Sequence, residues 1–386
     1  MQFMFTSPTL VNFGRGVSRQ LAPTLQGYGV KRVFLVSDKG VQAAGLLNEP
    51  VKSLQEAGFD LLCFDEVLPD APDSLVQSLA EKAHAFNPDA LVSIGGGSCI
   101  DTAKAINILL ANPGPINLYD GLNLVPNPGR LHIAIPTTAG TSSEITVVSV
   151  ISDVKNAKKM VIFGKNVAAS IALVDPELTD ALPPALTAST GMDALTHAIE
   201  AYISTASSPL TDALAPEAIA LIATNLPLAY ADGANREARD KIMQGCQLAG
   251  VCFSNACLGL VHSLSHPMSA HCHVPHGLAN AICLPRVLAY TLPVVPEDKI
   301  IRIAQGLGLD TQGKNAESLG REITLNLKNI ARTLHIPSIA AAGVKRELIA
   351  VMSEDSLKEL STTTTPRKPS VAEVIALYED LFAEAE

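Results

Sequence analysis

Near residue 180 the hydrophobic pattern of this chain changes period, and that change limits the possible folds more than any single motif does. Upstream, short apolar runs alternate with helical spacing. Residues 31–37 (KRVFLVS) and 90–94 (ALVSI) are rich in Val, Ile and Leu and end in turn signals, while LVQSLAEKAHAF between them has helical period. Residues 131–136 (LHIAIP) and 170–174 (SIALV) add strands of the same kind. Strands alternating with helices predict an α/β domain with a parallel sheet covered on both faces. Downstream, LPPALTAST introduces helical patterns over 190–204, 211–231, 236–254, 277–291, 297–307, 315–334, 344–352 and 370–384. The expected division is residues 1–180 as an α/β domain and 181–386 as an all-α domain.

Bulk properties narrow the partners. Of 386 residues, 47% are hydrophobic and 17% charged, a globular balance. A net charge of −10 argues against nucleic acid or an anionic membrane as the main partner, since both require basic surface. No apolar run approaches the roughly 20 residues of a bilayer span, and MQFMFTSPTLVNFGRG does not read as a signal peptide. The seven cysteines form no CxxC pair and read as reduced, mostly buried thiols, so a cytoplasmic enzyme is expected.

Five of the nine histidines lie in GLVHSLSHPMSAHCHVPHG, at His262, His266, His271, His273 and His276. Upstream, Asp193 and His197 stand four residues apart in GMDALTHAIEAY and share one helical face. His262 and His266 repeat that spacing before Pro267 can disturb the turn. A carboxylate with several imidazoles suits Fe²⁺, Zn²⁺ or another first-row ion better than Ca²⁺ or Mg²⁺. Any one of these histidines has an ordinary reading as a hydrogen-bonded core or surface residue, and spacing alone does not choose among the five.

In the first half, IGGGSCIDTAKA (94–105) runs from a strand into a helix. Gly95, Gly96 and Gly97 permit close backbone approach, Ser98 is expected to cap the helix with Asp101 as capping-box partner, and the helix N-terminus favours a phosphate. The motif is not GxGxxG, and a ligand-free strand–helix turn is the plain alternative. Asp38, ending a strand, can accept ribose hydroxyls of NAD and repel the 2′-phosphate of NADP, or be a simple turn aspartate. IPTTAGTSSE (135–144) offers hydroxyls at Thr137, Thr138, Thr141 and Ser142.

These segments together, with FGRG at 13–16 and LPPALTASTGMDALTHAIEAY at 182–202, resemble the iron-containing alcohol dehydrogenases (group III), near the lactaldehyde/propanediol oxidoreductase type, over nearly the whole chain. The resemblance implies an N-terminal NAD-binding domain, a helical metal-binding domain of the dehydroquinate synthase-like fold, and an active site in the cleft between them. It implies Asp193, His197, His262 and His276 as ligands of Fe²⁺ (Zn²⁺ possible), with His266 catalytic near the nicotinamide. On the cofactor side it implies Gly96, Gly97, Ser98, Asp101, Thr137, Thr138, Thr141 and Lys159, with Leu178 near the adenosine and Asp38 favouring NAD. A homodimer acting on a small alcohol or aldehyde is also implied. His271 and His273 are left as bystanders or substrate-side variation.

Departures touch the same regions. Pro69-Asp70-Ala71-Pro72 replaces the family's PNP, so Asp70 stands where Asn often contacts the cofactor. Val148 replaces a polar contact of some relatives, and TTTTPR replaces TGGNPR, with Thr365 for Asn. The implied reaction is reversible hydride transfer between a primary alcohol or diol and NAD. A dehydroquinate synthase-like NAD- and metal-dependent lyase is the alternative enzyme. It needs basic residues for a phosphorylated acidic substrate, and GMDALTHAIEAY and LVHSLSHPMSAHCHVPHG contain no Lys or Arg. A non-catalytic metal- or nucleotide-binding protein would bind NADH without alcohol-dependent turnover.

Overall fold

The computed structural model describes residues 2–384. The chain divides into two compact units, one spanning Thr6–Leu182 and one running from Pro183 onward together with the residues up to Phe5.

In the first unit, β1 (Leu10–Phe13), β2 (Arg32–Val36), β3 (Asp60–Phe64), β4 (Ala90–Gly95), β6 (Leu131–Pro136) and β9 (Ile171–Val174) form a six-stranded sheet in the order β1-β9-β6-β4-β2-β3. Every pairing in it is parallel. Central β4 is buried along its whole length, which is why ALVSI reads as a continuous apolar run rather than an alternating one. Helices α1 (Leu21–Gly27), α2 (Lys39–Ala43), α3 (Asn48–Glu56), α4 (Asp73–Phe86) and α5 (Gly97–Ala111) lie between strands. One apolar cluster gathers residues of α1 and α3, the other residues of α4 and α5, so the two faces of the sheet have separate cores. The chain turns from β2 outward to β3, and from β4 the other way to β6. The sheet's switch point thus lies between the ends of β2 and β4, where α/β sheets bind ligands.

A second sheet departs from the all-parallel expectation. The short β5 (Gly121–Leu122), β7 (Val148–Asp153) and β8 (Lys158–Phe163) form a three-stranded sheet in which β7 and β8 pair antiparallel. Burial along β7 alternates, and an exposed turn at 154–157 closes the hairpin. The buried Lys104 ties it to α5, its Nζ donating to Val148 O at 2.6 Å, Thr146 O at 3.0 Å and Thr146 Oγ1 at 3.2 Å. Burial pulls that ammonium down to about 8, against the attraction of Asp101 and Glu144.

The second unit contains α6 (Pro184–Ile203), α7 (Pro209–Ala231), α8 (Arg236–Ala256), α9 (Leu260–Cys272), α10 (His276–Thr291), α11 (Glu297–Gly306), α12 (Ala316–Thr333), α13 (Ile349–Ser356) and α14 (Val371–Ala383). Pro267 lies inside α9 without ending it: the helix continues to Cys272, and the missing proline N–H costs one bond in an otherwise buried helix. Two helical stretches, Pro209–Ala231 and His276–Val294, are long and apolar enough by length and composition to cross a membrane. Both pack against other helices of the unit, α7 against α6, α8 and α11, and α10 against α6, α9, α12 and α14.

Candidate metal centre and nucleotide-side loops

Helical spacing sets up the metal centre. Asp193 and His197 lie one turn apart on α6, His262 lies in the first turn of α9, and His276 opens α10. One ligand atom from each of the four falls within 4.8 Å of all the others. His197, His262 and His276 place Nε2 at 3.6, 3.9 and 3.6 Å from Asp193 Oδ1. His197 stacks between Phe253 and His262, at centroid distances of 4.3 and 4.8 Å, which fixes its ring plane. Close approach of α10 to α6 depends on Gly277, where a Cβ would lie 2.6 Å from Ser189 O and 3.2 Å from Asp193 Cβ.

Burial sets the electrostatics. Removal from water pushes the Asp193 carboxyl up. It pulls His262 well below its usual range, and the neighbouring His197, His276 and His266 push the same way. A buried imidazole that resists protonation, crowded by other imidazoles and by a desolvated carboxylate, is well suited to a divalent cation, which returns the missing positive charge. The donor set therefore fits a first-row metal.

Sequence reasoning missed the partners that orient these donors. Glu200, fully buried, accepts the Val261 N–H at Oε1 (2.6 Å) and holds His262 Nδ1 at Oε2 (2.6 Å), turning Nε2 toward the cluster. Burial pushes Glu200 up to about 8, opposed by backbone N–H groups at the start of α9. The signal was present: Glu200 follows Asp193 by seven residues and His197 by three, on the same helical stripe. Asn280, one turn after His276, sets its Nδ2 2.7 Å from Asp193 Oδ1. His266 is separate from the four clustered donors. Its Nδ1 meets Glu359 Oε2 at 2.8 Å, and its ring lies 5.3 Å from that of His276. His271 pairs with Asp355 at 2.8 Å, and His273 is the exposed left-handed cap of α9 (φ 56°).

In the first unit, the loops after β2, β4 and β6 bring most of the candidate cofactor residues to the switch point. α5 starts with Gly96 as N-cap and no side-chain cap, leaving its first N–H groups without a side-chain acceptor. The expected Ser98–Asp101 capping box is absent, because the helix starts at Gly97 and Ser98 already lies inside its first turn. Ser98 Oγ instead accepts the Asp70 N–H at 3.2 Å. Asp101 faces the other way, accepting from Ser143 Oγ and, at 3.0 Å, from Val150 N. Gly97 touches Thr141 so closely that a Cβ would lie 2.7 Å from its Cγ2, and Gly96 approaches Thr138. Thr137 is buried and donates its N–H to Gly95 O at 3.0 Å.

Asp38 caps α2 through Val41 N (2.9 Å) and accepts from the Cys99 thiol at 3.0 Å, so the turn reading describes its bonds and leaves its carboxylate at the end of β2. Lys159 on β8 pairs with Asp70 Oδ1 at 2.6 Å and donates to Ser152 Oγ at 3.0 Å. Leu178 packs on the apolar cluster that includes β9.

One unit carries a parallel sheet with a glycine-rich, uncapped helix start at its switch point, and the other a helical cluster of four donors that could hold a metal ion. Comparison makes the class specific. A model described as iron-containing alcohol dehydrogenase matches residues 8–176, and one for the C-terminal part of the Fe-containing alcohol dehydrogenase family matches 187–382. The chain belongs to the iron-containing alcohol dehydrogenase family. It is 38% identical to an NAD-dependent methanol dehydrogenase of Bacillus methanolicus, over 98% of this chain and 100% of that one. It is 34% identical to a lactaldehyde reductase of Escherichia coli (strain K12), over 95% and 96%. A solved 1,3-propanediol oxidoreductase superposes with a TM-score of 0.95 at 36% identity, covering 99% of this chain and 100% of that one.

Proposed function

We propose that this chain catalyses reversible hydride transfer between a small primary alcohol or diol and NAD, giving the aldehyde. Residues 1–180 serve as the NAD-binding part and 181–386 as the metal-binding, catalytic part. The observation that carries this reading is the cluster of Asp193, His197, His262 and His276, with their ligand atoms within 4.8 Å. We assign these four as ligands of Fe²⁺, or of Zn²⁺, which the same donors suit. A divalent ion held there would supply Lewis acidity to ease deprotonation of the alcohol, with NAD as the hydride acceptor.

The chain's own residues do the rest. Glu200 holds His262 in one ring orientation, and Glu359 does the same for His266, the proposed proton relay. The uncapped start of α5, with Gly96, Gly97 and Ser98, is assigned to the pyrophosphate. Thr137, Thr138, Thr141, Lys159 and Leu178 are assigned to the rest of the cofactor, and Asp38 to the ribose hydroxyls, which favours NAD over NADP. Asp70 and Asp101 are assigned supporting places, one through Lys159 and the other through the 143–150 segment. The enzyme is further proposed to be a cytoplasmic homodimer. Methanol, propanediol and lactaldehyde, named by the relatives, belong in the first substrate panel.

The test is an anaerobic panel of short alcohols and aldehydes with NAD(H) and NADP(H), on protein loaded with Fe²⁺ or Zn²⁺. The expected result is metal-dependent turnover with NAD(H). Absence of turnover with every pair sinks the assignment.

A further inference from the structure

At the ends of β2 and β4, two residues 61 positions apart in the chain come into contact. Ser37 Oγ donates to Ile94 O at 2.7 Å and ties the two strand ends together. Beyond that tie, Asp38 Oδ1 accepts the Val41 N–H at 2.9 Å, and Asp38 Oδ2 accepts the Cys99 thiol at 3.0 Å. Cys99 is fully buried in the first turn of α5, where its N–H donates to Gly96 O at 3.1 Å. Its sulfur fills the space beside Gly95, since a Cβ there would lie 2.5 Å from Cys99 Sγ. Burial and the neighbouring carboxylate both push the thiol up, so it keeps its proton and remains a donor across the neutral range.

Counting lone pairs shows what this arrangement leaves open. An ionised carboxylate offers about four acceptor sites, two on each oxygen. The Val41 N–H takes one on Oδ1, and the thiol takes one on Oδ2. Each oxygen keeps one more, side by side on a half-buried carboxylate that is held at both ends. Two adjacent acceptors match two adjacent hydroxyls, the donor pair of a vicinal diol. A phosphate ester in place of either hydroxyl brings negative charge and no donor.

We propose that Cys99 is a positioning residue for cofactor choice, its thiol fixing the Asp38 carboxylate in the orientation that accepts both hydroxyls of an unphosphorylated ribose and turns away a 2′-phosphate. This role rests on the assignment of Asp38 to the ribose hydroxyls. With one donor only, the carboxylate can swing about its terminal torsion, which is broad for aspartate, and its free acceptors lose a fixed direction. A thiol suits the task. As a weak donor it orients the carboxylate while drawing off little of the negative charge that repels the phosphate.

The test titrates NADH and NADPH into the full chain loaded with Zn²⁺, follows cofactor fluorescence, and takes the ratio of the two dissociation constants. The wild type is expected to prefer NADH, and Asp38→Ala to lose that preference. Cys99→Ala is expected to lower it by about tenfold, the worth of a hydrogen bond to a charged group. Cys99→Ser keeps a donor and should stay within about threefold of the wild type. In the Asp38→Ala background, Cys99→Ala should leave the ratio where it stands, since the thiol then has no carboxylate to hold. Should alanine prevent folding, judged by circular dichroism, Cys99→Val, which also lacks a donor, is compared in its place. An unchanged ratio in Cys99→Ala, a loss with serine as large as with alanine, or an equal loss in both backgrounds each overturns the proposal. The underlying assignment is checked separately: if the wild type does not prefer NADH, or Asp38→Ala keeps the preference, Asp38 does not read the ribose and the role of Cys99 falls with it.

Discussion

The two candidate sites are built from different materials. In the helical unit, chemistry resides in side chains, each held by a second one: His262 by Glu200, His197 by Phe253, His266 by Glu359. At the ends of the parallel strands it resides largely in the backbone, with glycine contributing absence: Gly97 leaves room that Thr141 fills. The difference teaches that a side-chain site fails piece by piece when partners are removed. A backbone site fails when something is added.

The sharpest way to break this contrast is to remove a donor and watch the other site. His197→Ala is expected to abolish metal retention and lower turnover by on the order of a thousandfold, the several kcal/mol a Lewis acid supplies. NADH binding, measured by fluorescence titration, should stay within about twofold, a margin of roughly 0.4 kcal/mol. A parallel loss of NADH affinity would show that the two sites are not independent.

His266→Gln separates positioning from ligation inside the helical unit. Turnover should fall by about a hundredfold, the usual size of a lost proton-transfer group, while metal content by atomic absorption is unchanged. Loss of metal with turnover would make His266 a ligand or a support.

Glu200→Gln tests the supporting layer. Metal affinity is expected to drop by about tenfold, as for other groups that orient a ligand. The pH dependence follows from the sign of the shift. Burial raises the Glu200 carboxyl to about 8, so below that pH the metal-free pair with His262 holds a proton that metal binding must release. Wild-type affinity therefore rises with pH, by up to about tenfold per unit for one released proton, and levels off above about pH 8. The glutamine variant should show a flatter slope, and an equal slope would assign the proton elsewhere.

The smallest effect is on the backbone site. Gly97→Ala forces Thr141 to shift by placing a Cβ 2.7 Å from its Cγ2. Overpacking of this kind costs about 1–3 kcal/mol, so NADH affinity should weaken roughly tenfold while metal affinity holds. An unchanged NADH affinity would remove Gly97 from the binding surface.

How far the sequence could be read follows the same division. The stripe of Asp193 and His197 was visible because helical period projects both from one face, and one more turn would have yielded Glu200. Four of the six parallel strands were visible as continuous apolar runs, while the edge strands β1 and β3, partly exposed along their length, were not. Glu359 was not accessible, since it lies 93 residues from the histidine it holds and no period links them. The β7–β8 hairpin was missed because its strands mix Ser, Lys and Asp with Val and Ile, and the buried positions of β7 are Ser149, Ile151 and Asp153 rather than an apolar row. Ser98 lies two residues inside the place expected for it: a serine beside a glycine-rich turn looks like a cap, but Gly96 takes that role.

Lys104 has a consequence for how the first unit breathes. Its ammonium bridges α5 to the carbonyls that lead into β7, and opening either element alone would leave a desolvated charge without acceptors. The hairpin carrying Lys159 and the helix that starts at Gly97 should thus exchange their amide hydrogens as one cooperative unit, with a common opening free energy.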